Sequence, residues 1–305
     1  MNPKITILLA TYNRAHLIEE TLRSIQDQTY AHFECLITDD RSTDNTPETV
    51  RTFCEDDKRF LYFKKPDNYL QGLSATRNFG LDLAEKRQAM YIQFFDDDDI
   101  MHPQKLELQI TPFFKDNTLD LTICQYRKFW KKKVIEFDLN KANDGFCNIE
   151  TTDLLKSFYL HKLNLNSLGP IWRFQKIKNY RFNENLYYTE ERDFYLRIFL
   201  NEHIKYCSIN YVLFWYRKHK KAITSGLYID KNLKDKSHQL FQDTFLNEIL
   251  KNRKMPFFLI KSYVGISVKH KNIKYSNLLN KYLLNNLFSD YRNIFLLIYL
   301  KLKFY

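Results

Sequence analysis

Four consecutive carboxylates, Asp96-Asp97-Asp98-Asp99, follow directly on the apolar run at residues 91–95. Near-continuous apolar runs mark strands buried on both faces, and open α/β sheets bind ligands beyond the carboxyl ends of such strands. Neighbouring carboxylates repel one another by about 1 kcal/mol or more per close pair, so the run calls for a compensating cation or for abundant water. All-oxygen ligation suits Mg2+ or Mn2+. A solvated acidic turn is the bland use of the same residues. Two other strand-like runs also end in polar groups, residues 4–10 in Thr11-Tyr12-Asn13-Arg14 and residues 33–38 in Asp39-Asp40. Three such ends meeting at one place would suit a nucleotide, since one carboxylate can accept a base N–H while others hold ribose hydroxyls and a metal.

The elements that must position these groups can be read from periodicity. Leu17, Ile18, Thr21, Leu22 and Ile25 recur at helical spacing, and Thr46-Pro47 supplies an N-cap with proline at the first helical position. Residues 60–64 form a third strand and 73–86 a third helix, which carries Arg77 and Asn78. Strands alternating with helices in this way predict an α/β fold, a mainly parallel sheet with helices on both faces. Beyond Pro103 a helix at 104–115 is interrupted by Pro112. Runs at 119–130 and 134–139 then alternate like antiparallel strands around Lys131-Lys132-Lys133. Helices are expected at 153–160 and 190–201 and strands at 168–175 and 204–216. A charge shift near 227–231 introduces helices at 240–250, 278–287 and 294–302. The resulting division is 1–115, 116–229 and 230–305.

Composition narrows the function classes. The chain has 305 residues, 44% of them hydrophobic, ample for a core. Its five widely spaced cysteines include no C-x-x-C, which favours a reducing cytosol over a disulfide framework or zinc site. No leader pattern or membrane-spanning apolar run is evident, so a cytoplasmic protein is expected. Net charge is +11, but 14 of 47 Lys and Arg and only 4 of 36 Asp and Glu fall after residue 230, leaving +10 there and +1 before it. No glycine precedes Gly72, which excludes a Rossmann G-x-G-x-x-G or a P-loop in the first two units. The basic tail carries no nucleic-acid-binding signature, and no nucleic-acid partner is expected.

Four motifs, in order, are Ile7-Leu8-Leu9-Ala10-Thr11-Tyr12-Asn13-Arg14, Ile37-Thr38-Asp39-Asp40-Arg41-Ser42-Thr43-Asp44, Ala75-Thr76-Arg77-Asn78 and Phe95-Asp96-Asp97-Asp98-Asp99-Ile100-Met101-His102-Pro103. Together they resemble the family 2 glycosyltransferases of the GT-A fold over about the first 115 residues. Thr189-Glu190-Glu191-Arg192-Asp193-Phe194-Tyr195-Leu196-Arg197 is similar to the family's acceptor-side segment, with Glu191 standing six residues before Arg197, where the family carries Asp. The resemblance implies that Thr11 and Tyr12 flank a uracil, with Arg14 beside them, and that Asp40 accepts its N3–H. Arg77 would approach the nucleotide, Asp96 or Asp97 would hold the ribose, and Asp98, with Asp96, would bind Mn2+ or Mg2+. Tyr216-Arg217-Lys218-His219 is similar to a late family segment, so His219 would reach the diphosphate or metal. Glu191, or Glu190 beside it, would be the base.

The expectation is therefore a metal-dependent inverting enzyme that moves a sugar from a UDP-sugar to a saccharide or lipid-linked saccharide, in bacterial surface polysaccharide synthesis. A non-catalytic relative that binds a nucleotide sugar or glycan is the alternative, should Glu in place of Asp have abolished the base. The basic tail, with apolar clusters at 257–260, 278–284 and 295–298, is expected to touch an anionic membrane surface.

Overall fold

The structure, a computed structural model, describes residues 3–130, 135–139, 147–218, 230–251 and 255–304. In chain order the elements of the first half are β1 (Ile5–Thr11), α1 (Ile18–Gln26), β2 (Phe33–Asp39), α2 (Thr46–Asp56), β3 (Phe60–Lys64), α3 (Leu73–Lys86), β4 (Tyr91–Asp96), β5 (Ile100–Met101) and α4 (Lys105–Lys115). There follow β6 (Leu121–Trp130), α5 (Leu154–Tyr159), β7 (Ile171–Arg173), α6 (Phe174–Ile177), α7 (Glu190–Asn201) and β8 (Tyr206–Lys218). The chain continues with α8 (Lys231–Lys251), α9 (Phe257–Lys269), α10 (Ile273–Asn285) and α11 (Arg292–Phe304).

The strands form a single curled sheet in the order β3-β2-β1-β4-β7-β6-β8-β5. Pairing is parallel from β3 through β4 and again between β6 and β8, while β7 and β5 run against their neighbours. This is the mixed, mainly parallel α/β architecture of the GT-A fold. Every residue of β1 and β2 is buried, as the unbroken apolar runs require when helices cover both faces. On α1, Ile18, Leu22 and Ile25 supply the apolar stripe, and Thr21 between them donates to the carbonyl of Asp99 at 2.9 Å. Register decides what happens at the edge. Thr11 stands opposite Asp39, and Ala10 opposite Asp96, so the loops after β1, β2 and β4 leave the sheet side by side.

Several local expectations need correction. α2 starts at Thr46 with Asn45 at the N-cap, and Asp44 accepts from the Thr46 amide at 2.9 Å and its hydroxyl at 2.5 Å. α4 runs through Pro112, which sits in the last turn, where one missing N–H is cheap and its own carbonyl still accepts from Asp116 at 3.0 Å. Residues 135–139 form no strand, and residues 131–134 lie outside the described residues. β6 pairs with β7 and, in parallel, with β8, where register shifts at Gln125 break the ladder. The strand expected at 168–175 shrinks to Ile171–Arg173, since Pro170 has no N–H to add to a ladder. α9 was not foreseen as a separate helix.

By its internal contacts the chain divides into Met1–His238 and Gln239–Tyr305. The second unit packs Leu259, Tyr263, Leu279, Leu283 and Leu300 into a core of its own. Among the described residues no helix is long and apolar enough to cross a membrane.

Candidate active site

The first two strand-end loops are tied together backbone to side chain. The Asn13 amide donates to Ser42 Oγ at 2.9 Å, the Arg14 amide to Thr46 Oγ1 at 2.8 Å, and the Asn13 side-chain carbonyl accepts from the Thr43 amide at 2.8 Å. Asn13 adopts φ 52°, a left-handed conformation that asparagine tolerates better than most residues. Asp39 and Asp40, equivalent on the page of the sequence, have separate tasks. Asp39, the last residue of β2, is buried, accepting from Ser42 Oγ at 2.5 Å and the Tyr62 hydroxyl at 2.6 Å, and so shapes the loop. Asp40 lines the cavity, paired with the fully buried Lys65 ammonium at 2.5 Å and accepting from the Gly72 amide at 2.7 Å. Gly72 has φ +127°, open only to glycine in practice, and begins α3. One carboxylate thereby fixes both the end of β2 and the start of the helix that carries Arg77.

The four-aspartate run divides in the same manner. Asp99 is fully buried and accepts from the Arg217 amide at 2.6 Å, while Arg217 Nε donates to the Asp98 carbonyl at 2.6 Å. The end of β8 is thus latched to the acidic turn. Asp97 is buried against Arg14, 3.3 Å from its Nε, and accepts from the Tyr12 amide at 3.3 Å. Burial, and then the neighbouring Asp98, push its carboxyl up to about 8. Asp96 and Asp98 are half-buried and reach the cavity wall.

Arg77, almost fully buried at the cavity wall, is a hub. Its Nη2 lies 2.9 Å from Asp96 Oδ1 and donates to Ser167 Oγ at 2.9 Å, and its Nη1 is 3.2 Å from Glu191 and 3.7 Å from Glu190. Its face covers the Phe182 ring at 5.4 Å. One guanidinium therefore bridges the acid run on β4 and the acid pair that opens α7. Ser167 also donates a short hydrogen bond to Glu191. Burial, and then the adjacent Glu191, raise Glu190 to about 7, despite Arg77. Arg197, from which Glu191 was located by counting, pairs with Asp193 at 2.8 Å and donates to the Arg181 carbonyl, tying α7 to the segment before it.

A cavity of about 1150 Å³ brings together Thr11, Tyr12, Arg14, Asp40, Arg77, Asp96, Asp97, Asp98, Glu190 and Glu191. His219 lies outside the described residues. Lys128, Lys218, Tyr126 and Asn166 share the wall and were missed from the sequence. Lys65 and Ser167 were missed as well, because a lone lysine and a loop serine carry no periodic signal. Among the described residues no cluster of three or more His, Cys, Asp or Glu forms a ready cage for a metal. The donor set still fits a hard divalent cation, which binds through one or two carboxylates and takes its other ligands from water and substrate phosphate. Asp98 and Asp96 offer that pair of carboxylates, in a turn where burial already crowds negative charge.

Comparison with known proteins bears on the family and the fold. Residues 6–174 match the family described as Glycosyl transferase family 2. A GalNAc(5)-diNAcBac-PP-undecaprenol beta-1,3-glucosyltransferase of Campylobacter jejuni is 28% identical over 188 residues, covering 62% of this chain and 57% of the relative, so the chain spans little more than half of that relative's length. Among solved structures, S. aureus TarS in complex with UDP-GlcNAc superposes with TM-score 0.64 at 21% identity, over 99% of this chain and 88% of that one. A mannosyltransferase from Pyrobaculum calidifontis in complex with GDP-Man and Mn2+ gives TM-score 0.57 at 15% identity, covering 100% of this chain and 87% of that one. With more than half of its length matched by the family and its sheet folded accordingly, the chain belongs to glycosyl transferase family 2.

Proposed function

We propose that the protein transfers a sugar from a UDP-sugar to the hydroxyl of a saccharide or lipid-linked saccharide, with inversion, in surface polysaccharide synthesis. The observation that carries the reading is the single cavity in which the Asp96–Asp98 turn and the Glu190–Glu191 pair face one another through Arg77. The TarS complex with UDP-GlcNAc supports the donor class, and the undecaprenol-linked acceptor in the Campylobacter relative's name supports the acceptor class.

In this reading Thr11, Tyr12 and Arg14 surround the base and Asp40, held by Lys65 and Gly72, accepts its N–H. Asp96 holds the ribose. Asp98, with Asp96, would hold a divalent cation, whose positive charge when bound stabilises the departing diphosphate. Lys128 and Lys218, on the same wall, add positive charge for that anion. Glu191 takes the proton from the acceptor hydroxyl as its oxygen attacks the anomeric carbon. In the same displacement the bond from that carbon to UDP breaks on the opposite face. Arg77 and Ser167 orient Glu191, and Glu190, uncharged for part of the time near neutrality, limits the negative charge around it. The C-terminal helices touch an anionic membrane on the cytoplasmic side, where a lipid-linked acceptor would be met.

Mass-spectrometric detection of UDP and free or transferred sugar across a panel of UDP-sugars with Mn2+ tests the proposal. Turnover of at least one donor is expected. No UDP release from any of them, with folded protein that binds UDP, would leave a binding protein and sink the enzyme.

A further inference from the structure

α4 sends a lysine into the core. Lys105, the first residue of that helix, is fully buried and pairs with no carboxylate among the described residues. Its Nζ donates to Gln93 Oε1 at 2.8 Å, to Gln109 Oε1 in a short hydrogen bond, and reaches the Gly169 carbonyl at 3.5 Å. Burial lowers its ammonium to about 8, with Cys124 opposing, so it keeps its charge and all its donors at neutral pH. The two glutamines turn their other ends to one turn of chain. Gln93, on β4, donates from Nε2 to the Leu168 carbonyl at 2.8 Å and to the Phe94 carbonyl at 2.7 Å. Gln109 donates to the Gly169 carbonyl at 2.8 Å and to the Thr122 carbonyl at 3.3 Å. Leu168 and Gly169 directly follow Ser167, whose hydroxyl accepts from Arg77 and donates to Glu191. The Gly169 amide closes the turn on the Asn166 side chain at 3.1 Å.

An ammonium donates and never accepts, whereas a side-chain amide accepts at one end and donates at the other. Contact with Lys105 therefore draws each amide oxygen inward and leaves each amide nitrogen facing the turn. Without the ammonium an amide that turned over would set its oxygen against a carbonyl oxygen. The turn carbonyls already have neutral donors in Gln93 and Gln109, and a buried charge costs more than a buried methionine, so satisfying the turn does not account for the lysine. Fixing the polarity of both amides does. We propose that Lys105 is a positioning residue for the transfer reaction: by orienting Gln93 and Gln109 it sets the turn at 166–169 and, through Ser167, aims the Glu191 carboxylate. Calling that carboxylate the base rests on the reading given above; the hold of Lys105 on the turn rests on its own bonds.

The test uses the full chain with Lys105→Met, which keeps the length of the side chain and removes its donors. In the isotope-labelled protein the amide NMR resonances of Ser167, Leu168 and Gly169 should move while those of β1 stay in place. With the UDP-sugar that the donor panel identifies, kcat should fall by about tenfold or more, the scale for a misaligned catalytic group, while UDP affinity stays within about twofold. A purely structural role would add its loss to any other, so a cycle with Ser167→Ala separates the two. On the Ser167→Ala background Lys105→Met should lower kcat by less than about twofold further. Unmoved turn resonances, an unchanged kcat, or losses that multiply in the double variant would each overturn the proposal. If Lys105→Met shows no cooperative thermal transition, Gln93→Met, which removes the donor to Leu168 at similar volume, takes its place in all three measurements. If the wild type turns over no donor, the glycosyl-transfer reading fails, and the amide resonances by themselves decide whether Lys105 sets the turn.

Discussion

Glu190 and Glu191 share Arg77, and their proximity couples their protonation. Because burial and like charge raise Glu190 to about 7, the pair as a whole reaches its full negative charge only above that pH. Ionisation of Glu190 changes the charge beside the base, so kcat/KM should change with pH near 7 and level off above it. Glu191→Gln should lower kcat by about a hundredfold while leaving UDP affinity intact, the usual scale for a lost general base. In that variant Glu190 loses a like-charged neighbour, so what rate remains should have its acid limb shifted to lower pH. A pH profile unchanged by the substitution, or a larger loss from Glu190→Gln, would reverse the two roles. Asp98 makes a second residue-level prediction. Wild-type protein should bind UDP more tightly with Mn2+ than with EDTA in calorimetry, and Asp98→Ala should abolish that difference; equal wild-type affinity in the two conditions would remove the metal from the proposal.

At the scale of elements, the site depends on α3 and α7 being delivered to the same place. The start of α3 hangs on the Asp40 carboxylate through the Gly72 amide, and the conformation at Gly72 is one that residues with a Cβ rarely adopt. A Cβ there meets no atom within 4 Å, so any cost of Gly72→Ala is conformational rather than steric. The substitution should destabilise the protein by about 1–3 kcal/mol, the range for a residue forced into a sparsely populated region. It should also weaken UDP, because moving the first turn of α3 disturbs Asp40 and Arg77 together. Chemical denaturation and UDP titration of one preparation measure both effects; a stability loss with undisturbed UDP binding would separate Gly72 from the site. The register shifts at Gln125 belong to the same scale, since a bulge re-aims the side chains beyond it and Tyr126 reaches the cavity wall.

For the molecule as a whole, the second unit exposes apolar surface that a water-facing helix would not need. On α11, Phe295 is 66% and Leu302 78% exposed, with Ile298 between them, and Phe288 just before the helix is fully exposed. Lys301, Lys303 and Arg292 flank that stripe, and the region after residue 230 carries +10. Positive charge beside an exposed apolar face complements an anionic leaflet, where each lysine or arginine in reach contributes about 1 kcal/mol. The full chain should float with anionic vesicles at low salt and be released at high salt. Phe288→Ser combined with Phe295→Ser and Leu302→Ser should abolish flotation without altering UDP affinity. Concentration-dependent dimers by analytical ultracentrifugation, lost in the same variant, would instead assign the face to a second copy of the chain.

The strand runs of the first half and the polar residues that end them were legible in the sequence, whereas the acid pair at the start of α7 was marked by the family resemblance. These are local patterns: a buried parallel strand must be apolar throughout, and its ligand-facing residues must come just after it. The sequence could not say which of four adjacent aspartates faces the cavity, because that depends on where Arg14 and Arg217 arrive from residues far along the chain. Nor could it show that Arg77 is spent on Asp96 and Glu191, that Lys65 holds Asp40, or that Arg197 pairs with Asp193. The parallel pairing of β6 with β8 was equally hidden, since alternation marks a strand without naming its neighbour. Local periodicity determined the elements and the chemistry available at their ends. Packing between distant segments decided which charges meet, because burial makes each such charge depend on the one partner that the fold brings to it.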